Sequence, residues 1–214
     1  MRTALITGFE PFAGLAVNPS AELLPDLEGM RLGDAVLRTA CLPVSAAAMP
    51  ARVAALLADH DPAFVLSLGL SPASPVVKVE TSAINVLDFR VADNDGATPV
   101  DEPIDPGGPY GRRSTADAAA VVAAITAEGV PAAVSHHAGT HLCNMTLYTV
   151  LGALEASGRD ARCLFVHLPY LPEQVVELMR GDQRGTPLAA SGQPSMARDL
   201  QRTAVLATAR VLAG

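Results

Sequence analysis

The sequence predicts an α/β fold, a three-layer α/β/α sandwich around a mostly parallel twisted sheet, from three observations. Short, continuously apolar runs at residues 3–7, 63–69 and 162–168 read as strands buried on both faces. Helical patterns with apolar positions three and four apart lie between such runs. Strands that alternate with helices are joined by right-handed crossovers, and these build parallel sheets. The 214 residues fit one domain, 1–214, with neither an internal repeat nor a dividing linker.

Residues 3–7 form a first strand that ends at Gly8 and feeds a loop containing Phe9 and Phe12. Asn18-Pro19-Ser20 has the form of a helix start. Residues 35–44 alternate as a strand, and residues 46–57 carry Val53, Leu56 and Leu57 on one helical face. Residues 63–69 are the central strand, closed by glycine. Residues 76–89 are β-rich, a hairpin or an extended excursion. The proline-rich stretch 92–113 contains Asp93-Asn94-Asp95-Gly96 and reads as a long surface loop. Ser114 or Thr115 is expected to cap a helix running to Glu128, closed by Gly129. A short strand at 132–135 leads to a helix that begins near His141 to Cys143 and stops at Gly158. The strand 162–168 ends before Pro169. Glu173 and Gln174 open a helix as a solvated first turn, and Ser195 is expected to cap the last helix, 196–213.

Composition narrows the function classes. Half the residues are hydrophobic and 17% are charged, which excludes disorder. The net charge is −7, with one lysine, Lys78, among the 15 basic residues. Such a chain has no electrostatic footprint for nucleic acid or anionic lipid. No apolar run reaches the ~18 residues of a membrane span, and the N-terminal run is too short for a signal-peptide core. Three scattered cysteines make neither a disulfide framework nor a Cys-x-x-Cys zinc site; reduced thiols and a cytoplasmic address are expected. Glycine clusters such as Gly107-Gly108 match no phosphate fingerprint, so no nucleotide cofactor is expected.

Open α/β sheets place their sites at the carboxyl ends of strands. Three reactive side chains fall at such positions: Cys143 at a loop-to-helix junction, His167 at a strand end, and Glu80 in the β-rich segment. A thiol in the first turn of a helix feels the positive end of the helix dipole, which favours thiolate. Nearby N–H groups without intrahelical acceptors offer an oxyanion site. A cysteine, a histidine and a carboxylate complete a triad. Spacing alone leaves Cys143 open between an activated thiol and an inert one, whereas Cys41 and Cys163, within apolar strands, read as core thiols. His137 and His141 stand four apart near Cys143, but Gly139 argues for a loop and against a metal site.

The ordered blocks Gly8-Phe9-Glu10-Pro11-Phe12, Asn18-Pro19-Ser20, Leu42-Pro43-Val44, Glu80 with Asn85, Arg90, Asp93-Asn94-Asp95-Gly96, Ala138-Gly139-Thr140 with Cys143-Asn144, and His167-Leu168-Pro169-Tyr170-Leu171-Pro172-Glu173-Gln174 run from residue 5 to 175. Together they resemble the type I pyroglutamyl peptidases, or pyrrolidone-carboxylate peptidases, a family of cysteine peptidases. The resemblance implies hydrolysis of the amide bond after an N-terminal pyroglutamyl residue, through a thioester and without a cofactor. It implies Cys143 as nucleophile, His167 as general base and acid, and Glu80 as the acid that orients the imidazole. It places Arg90 near the reaction centre as a helper for the oxyanion, and Phe9 and Phe12 along the pyroglutamate pocket. It also implies peptide substrates and self-association as a dimer or tetramer.

The chain departs from the family pattern before Glu80. Leu70 stands where the family has a substrate-contacting glutamine, and Ser74 where it has an arginine. His141 and Leu142 replace the usual aromatic or apolar pair before the cysteine, and Ala13 replaces a glycine. Backbone groups of Leu70 still serve a substrate held by main chain, while loss of a buried side-chain bond costs roughly 1–3 kcal/mol. Two other readings therefore stand beside the first: a thiol amidase for another small lactam or acyl amide, and a weakly active binding homologue.

Overall fold

The computed structural model describes residues 2–181 and 193–214. The chain runs β1 (Arg2–Phe9), α1 (Pro19–Glu22), α2 (Leu24–Leu27), β2 (Arg31–Leu32), β3 (Ala35–Leu42), α3 (Met49–His60), β4 (Phe64–Leu70) and β5 (Val77–Glu80). It continues through β6 (Ser82–Ile84), β7 (Gly111–Arg113), α4 (Ala118–Ala127), β8 (Ala132–Ser135), α5 (Leu142–Ser157), β9 (Arg162–Leu168), α6 (Pro172–Gly181) and α7 (Arg198–Ala213). Seven strands form one sheet in the order β2-β3-β1-β4-β9-β5-β8. β1–β3, β1–β4, β4–β9 and β5–β8 are parallel; β2–β3 and β5–β9 are antiparallel.

Alternation along the strands splits the core in two. On one face Ile6, Leu66, Leu68, Val77, Val79, Leu164 and Val166 pack against residues of α2, α4 and α7. On the other, Leu5, Val65, Cys163 and Phe165 pack against α3 and α5. This is the three-layer sandwich that the sequence predicts. No helix among the described residues is long and apolar enough to cross a membrane.

The site is positioned by a divergence at the centre of the sheet. β1 neighbours β3 on one side and β4 on the other, so the strand order reverses there. Ligands in open α/β sheets bind in the crevice at such a switch point. β1 pairs with β4 only as far as Thr7 opposite Ser67, where the two hydroxyls meet at 2.9 Å. β4 goes on beside β9 to Leu70 opposite Leu168. Beyond Ser67 the β1-facing main chain of β4 is therefore not taken up by β1, and Phe9 and Leu70 face across the gap.

Several local expectations need correction. Asp117, not Ser114 or Thr115, caps α4, its carboxylate accepting from the Ala119 and Ala120 amides. The two hydroxyls are spent on β9 instead: Ser114 Oγ donates to the Cys163 carbonyl at 2.6 Å, and Thr115 Oγ1 to that of Ala161 at 3.1 Å. The last helix starts at Arg198 after Ala197, without a side-chain cap, because residues 195 and 196 are held in an extended pairing with Tyr170. Gln174 is buried rather than solvated; it accepts from the Leu171 amide and donates to the Val17 carbonyl. The β-rich segment divides: β5 joins the main sheet, while β6 pairs with β7 at the far end of the expected loop. Cys41, at the end of β3, is exposed and not a core thiol.

Close approach of main chain fixes the start of the crevice. A Cβ on Gly8 would lie 2.5 Å from the carbonyl oxygen of Ser20, which belongs to backbone and cannot swing away. Gly8→Ala should therefore lower stability by about 1–3 kcal/mol, the usual range for overpacking, read as a shift in the denaturant midpoint at constant slope. An unchanged midpoint would contradict this packing.

Candidate active site

Three elements meet on the α5 side of the crevice. Cys143 is the second residue of α5, whose N-cap, His141, lends no side-chain bond to the helix start. The first amide to find an intrahelical acceptor is that of Met145, which donates to the His141 carbonyl. The amides of Leu142, Cys143 and Asn144 thus belong to the unpaired first turn, with the positive end of the helix dipole behind them. Asn144 holds this turn in place. It is fully buried, accepts from the Ile84 amide at 2.8 Å, and donates to the carbonyls of Ile84 and Val86.

His167 lies on β9 opposite Gly69 of β4, and a Cβ on Gly69 would stand 2.9 Å from the Cys143 sulfur. Glycine is needed at 69 so that the thiol can settle over the strand beside the imidazole. The Cys143 sulfur comes near enough to the His167 ring to act on its charge. Glu80, at the end of β5, brings Oε1 to 2.8 Å from His167 Nδ1, and the carboxylate is 1% exposed. Its other oxygen has no hydrogen-bond partner among the described residues, so the imidazole is the carboxylate's one partner there. Phe165 packs against the His167 ring at a centroid distance of 4.8 Å and fixes its tilt.

This arrangement sets the charge state of His167. Burial of the ring works against its charge, but the Cys143 sulfur and the Glu80 carboxylate outweigh burial and push the imidazole up to about 9. At neutral pH the ring is then an imidazolium, with Nδ1–H donated to Glu80. Cys163, fully buried, is pushed up to about 12, and burial with the Glu10 carboxylate also raises Cys41. Of the three thiols, Cys143 alone has an imidazolium beside it.

Beside the sulfur opens a pocket lined by Phe9, Phe12, Asn18, Val44, Leu70, His141, Leu142 and Cys143. Phe9, Phe12, Leu70 and Leu142, all expected along the substrate site, line it. Asn18, Val44 and His141 join them. His141 stacks between Phe12 and Phe89, its ring 4.0 Å from that of Phe89, and donates Nε2–H to the Val91 carbonyl. The cavity is narrow, about 20 Å³, room for one water. Phe12, half-buried, forms the outer wall. Arg90 is exposed; it does not line the pocket and makes no hydrogen bond or ion pair among the described residues. Two larger hollows of about 510 and 520 Å³ lie away from the triad, one of them at the amino ends of β1 and β4. No metal-ligating cluster occurs among the described residues.

A family model described as pyroglutamyl peptidase matches residues 2–213. The chain belongs to the pyroglutamyl peptidase family. It is 45% identical over 175 residues to a pyrrolidone-carboxylate peptidase of Cupriavidus pinatubonensis, covering 81% of each chain. It is 40% identical over 201 residues to one from Clavibacter michiganensis, covering 92% of this chain and 94% of the relative. Among solved structures, the pyrrolidone carboxyl peptidase from Thermococcus litoralis superposes with a TM-score of 0.91 at 31% identity, covering 100% of this chain and 94% of that one.

The raised pKa of His167 gives a pH dependence with a definite sign. A group raised on folding stabilises the fold fully below its ordinary value of 6.5, and that share fades as pH rises through about 9. NMR titration of the His167 ring should give a midpoint near 9, lower in Glu80→Gln and lower in Cys143→Ala. A midpoint near 6.5 in the unsubstituted protein would contradict the charge arrangement.

Proposed function

We propose that the protein is a cysteine exopeptidase that removes N-terminal pyroglutamyl residues from peptides through a thioester on Cys143. The observation that carries this reading is the continuous contact from the Cys143 sulfur through His167 to Glu80, at the rim of a small apolar pocket. A pyroglutamyl ring is a flat, neutral lactam without a free α-amine. It calls for an apolar wall and a few amide partners, and for no carboxylate to capture an ammonium. Phe9, Phe12 and Val44 supply the wall. The β4 main chain at Leu70, not engaged by β1, supplies a donor and an acceptor whatever side chain the residue bears.

The thiolate attacks the carbonyl carbon of the pyroglutamyl residue, and the carbonyl oxygen becomes an oxyanion at the unpaired amides of the α5 first turn. The C–N bond breaks as His167 gives its proton to the leaving amine, leaving the pyroglutamyl thioester. The now neutral imidazole takes a proton from water, which attacks the thioester; pyroglutamate leaves and the thiolate–imidazolium pair returns. Glu80 keeps the ring oriented and offsets its charge throughout. The helical amides fill the oxyanion role without Arg90. Self-association as a dimer or tetramer and a cytoplasmic address belong to the same proposal, the first through the family and the second through the reduced thiols.

The apolar Leu70 in the pocket wall favours one second reading, a thiol amidase tuned to a different small lactam or acyl group. Two substitutions separate the readings. Cys143→Ala should lower turnover of a pyroglutamyl arylamide by roughly a thousandfold or more, and near-normal turnover would remove the nucleophile. Leu70→Gln should change kcat/KM by less than about threefold if main chain holds the ring, the loss expected of a weak exchange of contacts. A large gain on pyroglutamyl substrates would favour the second reading.

A further inference from the structure

Lys78 is the chain's single lysine, and its placement is not explained by the triad. It lies on β5 between Val77 and Val79, which pack into the core on the face away from α5. The strand period of two turns Lys78 to the other face, with Glu80. Register sets it directly across from His167, and facing residues of an antiparallel pair hold their Cβ atoms roughly 4.5–5.5 Å apart on one face. Its ammonium donates to Ser71 Oγ at 3.1 Å, and Ser71 follows Leu70 at the end of β4. β9 separates β5 from β4. To reach Ser71 the lysine chain therefore crosses the carboxyl end of β9, beside His167. Lys78 is half-buried, and among the described residues no carboxylate pairs with it. An ammonium has three donors, and one neutral hydroxyl leaves its charge unmatched.

The apolar pocket extends from the sulfur toward Phe9 and Leu70, on the β1 side of β4. With the pyroglutamyl ring there, the scissile bond lies at Cys143 and His167, and the leaving peptide continues over β9 toward β5. We propose that Lys78 is a specificity-determining residue that receives a carboxylate of the leaving peptide. That carboxylate is either the side chain of an acidic residue directly after pyroglutamate or the terminal carboxylate of a pyroglutamyl amino acid. This inference rests on the exopeptidase reading above and adds to it the charge of the leaving group.

The test compares kcat/KM at low ionic strength for pyroglutamyl-alanine amide, pyroglutamyl-alanine and pyroglutamyl-glutamate amide, in the unsubstituted protein and in Lys78→Gln. Ratios between substrates do not depend on the fraction of protein folded. The unsubstituted protein should favour at least one carboxylate-bearing substrate over the neutral amide by roughly fivefold, the size of a partly exposed ion pair. The favoured substrate identifies the source of the carboxylate. The preference should shrink in high salt and fall to about one in Lys78→Gln. A ratio at or below one in the unsubstituted protein overturns the proposal. So does a ratio that survives Lys78→Gln, including an equal loss on all three substrates, which would mean that the ammonium only balances Glu80. No turnover of any of the three by the unsubstituted protein would instead sink the exopeptidase reading, and this inference with it.

Discussion

A carboxylate in the middle of a sheet costs several kcal/mol to bury unless a cation meets it. Glu80, 1% exposed and with one oxygen unpartnered, is met by His167 at 2.8 Å. The rest of the site follows from this pairing. It keeps the imidazole charged despite burial, with the Cys143 sulfur next to it. β5 and β9 run antiparallel in an otherwise mostly parallel sheet, and their register sets Glu80 across from Phe165, on the same face as His167 two residues further along β9. The topology thus places acid and base together before any loop is considered.

The thiol reaches this pair by one glycine and a helix start. Gly69 clears the space over β4, and α5 begins with amides that no side chain caps. Asn144 ties that helix start to the chain just after Glu80, so the nucleophile and the acid are fastened to one another through three buried hydrogen bonds. Misplacement of reacting groups by about 1 Å can cost a hundredfold in rate, which gives a polar residue reason to sit in such an apolar place. The substrate crevice has a separate origin, the parting of β1 from β4 after Thr7.

The architecture was legible in the sequence because it rests on local chemistry; the three site residues were candidates by position, and only the family resemblance gave them roles. Continuous apolar runs closed by glycine or proline marked β4 and β9, and the loop-to-helix position singled out Cys143. What was not legible depended on distant partners. Ser114 and Thr115 look like caps, yet their hydroxyls bind β9 carbonyls some fifty residues away and leave capping to Asp117. Cys41 sits in an apolar run, but alternation turns it outward at a strand end. Gln174 follows a proline as a solvated residue would, and is buried by a bond to Val17. Asn18, Val44 and His141 come together only through the folded crevice. Lys78 carried no motif at all, and register alone gives it meaning.

The central claim is that the Cys143 sulfur, held against a charged His167, takes the acyl group. Acid quenching during turnover of a pyroglutamyl substrate, followed by mass analysis of the proteolytic fragments, tests it most directly. The account predicts one pyroglutamyl adduct, on the fragment containing Cys143, absent from Cys41 and Cys163 and chased by time. Sustained turnover with Cys143 unmodified under conditions where deacylation is rate-limiting, or an adduct on another residue, would contradict it.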